Sequence, residues 1–162
     1  MGIKLVSGAV FLSMLVAGSV YAGPTTVNIQ VDVLQRDAKG KHWDIRRGAP
    51  DIAICVTYPD FERSEDTYTQ CWPHRRRGTI TTRMKDLRKA QCWNKYRCLF
   101  RGIVVPDNRK FEVMVVDIDR FRHDMIGSGF CRVNKRCKVG RAQIEVRGAS
   151  AVKTRKVKTK KK

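Results

Sequence analysis

The chain has 162 residues and a formal net charge of +19, from 34 lysines and arginines against 15 aspartates and glutamates. That length is one domain's worth, and a charge so far from neutral points to anionic partners while saying nothing of fold. The six cysteines are even in number, lack any Cys-x-x-Cys pair and are joined by only three isolated histidines, which argues for disulfides and against a zinc site.

In chain order, Lys4 precedes a mostly apolar run from Leu5 to Gly18, and Val20-Tyr21-Ala22 supplies small residues at the positions a signal peptidase reads. Residues 1–22 are therefore expected to be a cleaved signal peptide, too short in its apolar run for a membrane span. The mature domain is expected over 23–148. Val27, Ile29, Val31 and Val33 alternate with polar residues, the period of a half-buried strand. Ile52 to Tyr58 is apolar on both faces, as in a central strand. Further strands are expected at Thr67–Trp72, Thr79–Met84, Tyr96–Val105, Phe111–Asp117, Met125–Val133 and Lys138–Val146, with a short helix at Lys85–Gln91. Eight short strands with turns between them predict an all-β, eight-stranded antiparallel sandwich. Residues 149–162 carry Lys153, Arg155, Lys156, Lys158, Lys160, Lys161 and Lys162 with no acid, so a disordered basic tail is expected. Of the possible disulfide pairings, local geometry favours Cys55–Cys71, Cys92–Cys98 and Cys131–Cys137. The tryptophans Trp72 and Trp93 are expected to pack, whereas Trp43 lies beside the candidate site described next.

Five of the eleven aspartates fall in two loops. Asp44 and Asp51 precede the second strand, and Asp117, Asp119 and Asp124 follow the Phe111–Val116 segment. Carboxylates gathered at strand ends repel one another unless a counter-charge sits among them. Calcium, which takes six to eight oxygen ligands, is the economical counter-charge. An EF-hand is excluded, because its sixth loop position would be Arg122 where glycine is required and its twelfth would be Ser128 rather than glutamate.

Three segments carry a resemblance. Phe111-Glu-Val-Met-Val-Val-Asp117-Ile-Asp119-Arg-Phe-Arg-His-Asp124-Met-Ile-Gly127 is similar to the sixth strand and third calcium-binding loop of C2 domains. Trp43-Asp44 with Pro50-Asp51-Ile-Ala-Ile-Cys-Val56 resembles that family's first loop and second strand, and Thr81-Thr82 followed by Cys92-Trp93-Asn94-Lys95-Tyr96 resembles the segment between its fourth and fifth strands. The resemblance implies a sandwich whose loops at one end bind Ca2+ and dock on anionic phospholipid. Carried over, the ligands would be Asp44, Asp51, Asp117, Asp119 and Asp124, with Asp37 as the substitute for Asp44, whose spacing is looser than the family's. Arg46, Arg47, Arg120, Phe121 and Arg122 would contact the membrane.

The expected function is thus a calcium-dependent membrane-surface module, exported to a periplasm or secreted, monomeric and not an enzyme. The alternative is a calcium-independent binder of a polyanion, lipopolysaccharide or nucleic acid, through Arg75, Arg76, Arg77 and the tail bases. A metal-dependent hydrolase, in which the aspartate cluster would activate water, is a third possibility that nothing else in the sequence supports; no serine or cysteine nucleophile is paired with a histidine, although a metal-activated water needs no such triad.

Overall fold

A computed structural model describes residues 23–43, 48–59, 67–73, 78–80, 82–107, 109–119 and 123–149. The expected signal peptide and residues 150–162 lie outside the described residues. The strands are β1 Pro24–Val33, β2 Ile52–Pro59, β3 Thr67–Trp72, β4 Arg97–Pro106, β5 Phe111–Ile118, β6 His123–Cys131, β7 Arg136–Val139 and β8 Ala142–Gly148. They form two four-stranded sheets, ordered β4-β1-β8-β7 and β3-β2-β5-β6, with every pairing antiparallel. This is the eight-stranded β-sandwich that the alternation predicts.

The core is built by the period-two pattern of each strand. Val27, Ile29 and Val31 of β1 face Ile54, Val56, Val113 and Val115 of the other sheet, all with no exposed surface, and Phe100, Phe111 and Ile144 fill the space between. β4 keeps its inward side despite a change of phase from Cys98 and Phe100 to Ile103 and Val105. The extra residue is absorbed where Ile29 pairs with Phe100 and Val27 with Ile103, and Gly102 takes a positive φ of 67° there. Such a glycine-containing bulge re-aims the strand without disturbing its partner.

Two expected elements differ. Thr79 and Ile80 are not strand, and Met84–Leu87 forms a single α-helical turn, α1, followed by a 3-10 turn over Arg88–Ala90. Ile80 instead packs on Ala53, Val116 and Ile118, on the side of the β2–β5 pair turned away from the main core. The expected Lys138–Val146 strand is a hairpin. Val139 pairs with Ala142, and Gly140 at a φ of 52° starts a two-residue turn of the kind that suits twisted strands.

All six cysteines are paired as local geometry predicts, Cys55–Cys71, Cys92–Cys98 and Cys131–Cys137. These bridges fit an oxidising, exported setting. Cys55 and Cys71 are directly opposite on β2 and β3, whereas Cys131 and Cys137 join β6 of one sheet to β7 of the other. At that flank the two sheets touch backbone to backbone. A methyl group added at Gly127 would lie 2.4 Å from the Val139 carbonyl oxygen, and one at Gly140 2.4 Å from that of Ile126. Among the described residues no helix is long and apolar enough to cross a membrane.

Candidate functional site

One end of the sandwich gathers the start of β2, the end of β5 and the start of β6. Ile52 pairs with Asp117, Asp117 with Asp124, and Ile118 with His123. Asp117 shares the side of β5 that carries Phe111, Val113 and Val115 into the core, and it is 1 % exposed. Its Oδ1 accepts a 2.7 Å hydrogen bond from the Asp51 amide, while the Ile118 amide donates to the Asp51 carbonyl at 2.9 Å. Asp51 is thereby locked to the end of β5 before β2 begins.

The register sets Asp117 and Asp124 face to face across the β5–β6 ladder. Directly opposed residues of an antiparallel pair hold their Cβ atoms about 4.5–5.5 Å apart, and like charges in that relation are destabilising. A cation bound at this end of the sandwich would offset that repulsion. Asp51 and Asp119 are half-buried and Asp124 is exposed, so the carboxylates run from the core outward to solvent.

Four of the expected calcium ligands, Asp51, Asp117, Asp119 and Asp124, therefore lie at the same end of one sheet. Asp44 lies outside the described residues, as do Arg46, Arg47, Arg120, Phe121 and Arg122, and also Arg75, Arg76, Arg77 and the tail bases Lys153, Arg155, Lys156, Lys158, Lys160, Lys161 and Lys162. Among the described residues no group of three or more histidine, cysteine, aspartate or glutamate side chains is close enough to hold a metal ion. Carboxylate oxygens are the hard donors that calcium prefers, so the donor chemistry suits the ion. The described side chains supply the opposed pair and their neighbours rather than a closed coordination shell.

Asp37, the substitute for Asp44, does structural work. Its Oδ1 accepts from the amides of Lys39 (2.9 Å) and Lys41 (2.7 Å), closing the turn after β1. It nevertheless lines a cleft of about 350 Å³ together with Trp43, Asp124 and Arg141. Trp43 donates its indole N–H to the Leu34 carbonyl at 2.7 Å and packs on the core, which makes it an anchor of this loop. Trp72 is buried as expected, but Trp93 is 52 % exposed, contrary to the packing expectation. It lies between the 3-10 turn and β4, where the Cys92–Cys98 bridge holds the chain outside the sandwich.

Neither a protein-family model, nor a curated protein, nor a solved structure matches the chain. The site therefore stands on its own geometry.

That geometry includes a basic surface which a search for runs of charge does not find. Arg136 and Lys138 of β7 and Arg147 of β8 alternate with core-facing residues, so their positive charge is dispersed along the sequence yet shares one side of the hairpin. Glu145 lies among them, with its carboxylate accepting from Arg147 Nε at 2.9 Å and from Arg136 Nη2 at 3.5 Å. The hydrogen bond from Arg147, opposed by desolvation and helped by the charge of Arg136, holds the Glu145 carboxyl below the usual carboxylate range. The same hydrogen bond raises the Arg147 guanidinium. The phase change at Gly140-Arg141 is the signal that would have exposed this surface, since it shows which residues of each strand point outward.

Proposed function

We propose that the protein is an exported, calcium-dependent module that docks on anionic phospholipid surfaces. The observation that carries this reading is the opposed pair Asp117 and Asp124, with Asp51 tied to Asp117 and Asp119 one residue beyond the strand. Asp51, Asp117, Asp119 and Asp124, with Asp44, would hold Ca2+, and the bound ion would supply positive charge that phosphate oxygens can join. The chain's own part is to hold the carboxylates ready. The Asp51 amide orients Asp117, the β5–β6 ladder sets Asp124 opposite it, and burial of Asp117 lowers the dielectric around the pair. Without the ion these acids repel an anionic surface; with it the sign at this end reverses, which makes an electrostatic switch.

The test is calcium titration by calorimetry of the wild type beside an Asp117→Asn, Asp119→Asn double variant. Asparagine keeps an oxygen to accept from the Asp51 amide, so the variant should fold while losing two charges. The wild type should bind calcium and bind phosphatidylserine vesicles only in its presence; the variant should do neither. Vesicle binding that ignores both calcium and chelator would end this reading.

The second reading, a polyanion binder of periplasmic or secreted location that needs no calcium, is favoured by the basic side of the β7–β8 hairpin. It expects binding that survives chelation and weakens steeply with salt.

A further inference from the structure

We propose that the outward side of the β7–β8 hairpin is a binding site for a multiply charged sugar chain bearing phosphate or sulfate groups. This site rests on the polyanion reading and not on the calcium one, and its residues are those of the β7–β8 hairpin and its neighbours rather than Arg75–Arg77 or the bases beyond residue 150.

The pairing register builds it. Arg136 stands opposite Glu145 and Lys138 opposite Gln143, all facing solvent, while Val139, Ile144 and Val146 fill the core behind them. Alternate residues of a strand are about 6.7 Å apart, so the bases of β7 form a fixed row rather than a flexible cluster. Two hollows open on either side of Arg136. One, of about 430 Å³, is lined by Leu34, Lys138 and Arg141 among others, and the second, of about 270 Å³, by Lys135, Glu145 and Arg147. Arg136 lines both, so it is the ridge between them.

The hollows are electropositive despite Glu145. Among the described residues that carboxylate is the sole acid lining either of them, set against Lys135, Arg136, Lys138, Arg141 and Arg147. It engages one nitrogen on each of Arg136 and Arg147, and a guanidinium has five N–H donors in a planar fork. Most donors of both arginines are left for an incoming anion. Arg141 is held in place from behind, because its Nε and Nη2 donate to the Arg36 carbonyl at 3.1 and 3.0 Å. The planar fork of a positioned arginine can donate to two oxygens of one phosphate or sulfate group, which a mobile lysine does not do.

The shape selects the ligand class. Two hollows flanking a shared base suit a chain that carries anionic groups at intervals, one group to each hollow. None of the described lining residues is aromatic, so among them there is no stacking platform of the kind that single-stranded nucleic acids use. The saturated ring of a sugar needs none.

The experiment uses the full chain and two probes, a heparin oligosaccharide for sulfate and a phosphorylated mannan oligosaccharide for phosphate, with EDTA throughout. Affinities are compared for wild type, Arg136→Gln with Lys138→Gln, and a control of equal charge, Arg83→Gln with Lys85→Gln on the α1 side. The hairpin variant should bind about tenfold or more weakly, and its salt slope should fall by about 2, because two anion contacts are gone. The control should change by less than about threefold. Glu145→Gln should tighten binding, since it removes the one competing carboxylate. Matching unfolding midpoints for the arginine and lysine variants, and a cooperative transition for Glu145→Gln, establish that the substitutions leave the fold intact. Whichever probe binds more tightly names the anion. Equal losses in the hairpin and control variants, a loss in Glu145→Gln, or no binding of either probe at low salt would overturn the proposal. Tighter binding of single-stranded DNA with the same sensitivity to the hairpin variant would overturn the choice of a sugar chain.

Discussion

Replacing Gly127 by alanine should be among the most destabilising single changes available to this domain, although it adds one methyl group. The new carbon would lie 2.4 Å from the Val139 carbonyl oxygen and 2.6 Å from both the Cα and the nitrogen of Gly140. These are backbone atoms of a paired strand and its turn, so no side chain can rotate away. Forcing extra volume into a packed contact typically costs about 1–3 kcal/mol, and a clash with backbone on three atoms belongs at the upper end. Gly140→Ala meets the Ile126 carbonyl at the same distance and adds the left-handed penalty of about 1–2 kcal/mol at its φ of 52°. Gly129→Ala is the internal control, since its methyl would meet the terminal Cγ1 of Val139 at 3.0 Å, an atom that can yield. A domain of this size has a total stability of about 5–15 kcal/mol, so a loss of about 3 kcal/mol is easily read in a urea titration with the disulfides intact. The expected order of destabilisation is Gly140→Ala, then Gly127→Ala, then Gly129→Ala. If Gly127→Ala unfolds at the same urea concentration as Gly129→Ala, the backbone-to-backbone contact of the two sheets is wrong.

Removing the Cys55–Cys71 bridge by a double alanine substitution should cost about 3 kcal/mol, and removing Cys92–Cys98 nearer 2 kcal/mol, because loop-closure entropy grows with the span closed, 16 residues against 6. Denaturant titration of each double variant checks the order, and an inverted order would show that native packing rather than the unfolded chain sets the effect. The Glu145 carboxyl, held down by Arg147 and Arg136, should titrate below 4.5 in a carbon-detected NMR titration. The stability it contributes is present above the unfolded value and is lost as pH falls through the folded one, so Glu145→Gln should be slightly less stable than the wild type at neutral pH, with the two curves converging in acid.

The fold was legible wherever apolar positions alternate for long enough. β1, β2, β3 and β5 begin and end within a few residues of where the pattern places them. The expectation of eight strands was met by a different set of eight. Thr79–Met84 has the β-branched composition of a strand, but Ile80 is used to cover Ala53, Val116 and Ile118 from outside, and Met84–Leu87 turns into helix. Packing there overrides propensity. The missing strand is recovered in Lys138–Val146, where inward positions pass from the odd-numbered Val139 to the even-numbered Ala142, Ile144 and Val146. A single strand cannot change sides without a bulge, and with glycine at the break the change marks a turn.

The acid end of the sandwich was legible in part. Asp-x-Asp at the end of a strand is visible in sequence, but the pairing of Asp117 with Asp124 depends on the length and shape of the intervening loop. The extra residue of β6, where Val115 pairs with Gly127 but Val116 with Met125, sets that register. The basic hairpin went unnoticed because its charges are spread at alternate positions. A strand hides half its residues, so an outward row of bases never forms a run.

The Cys131–Cys137 bridge and the Gly127–Gly140 contact lie on the same flank, and together they act like the spine of a book. The covers are the two sheets, stitched covalently at one end of that spine and pressed together along it. On the opposite flank, β3 and β4 are the outer strands of separate sheets, and the bridges there join β2 to β3 and the 3-10 segment to β4 without crossing between sheets. Separation of the two sheets is therefore resisted most along the β6–β7 flank. Asp124 of β6 and the β7–β8 hairpin both border that flank. If the hairpin binds regularly spaced anionic groups as proposed, a place beside the spine is where its own spacing is best kept.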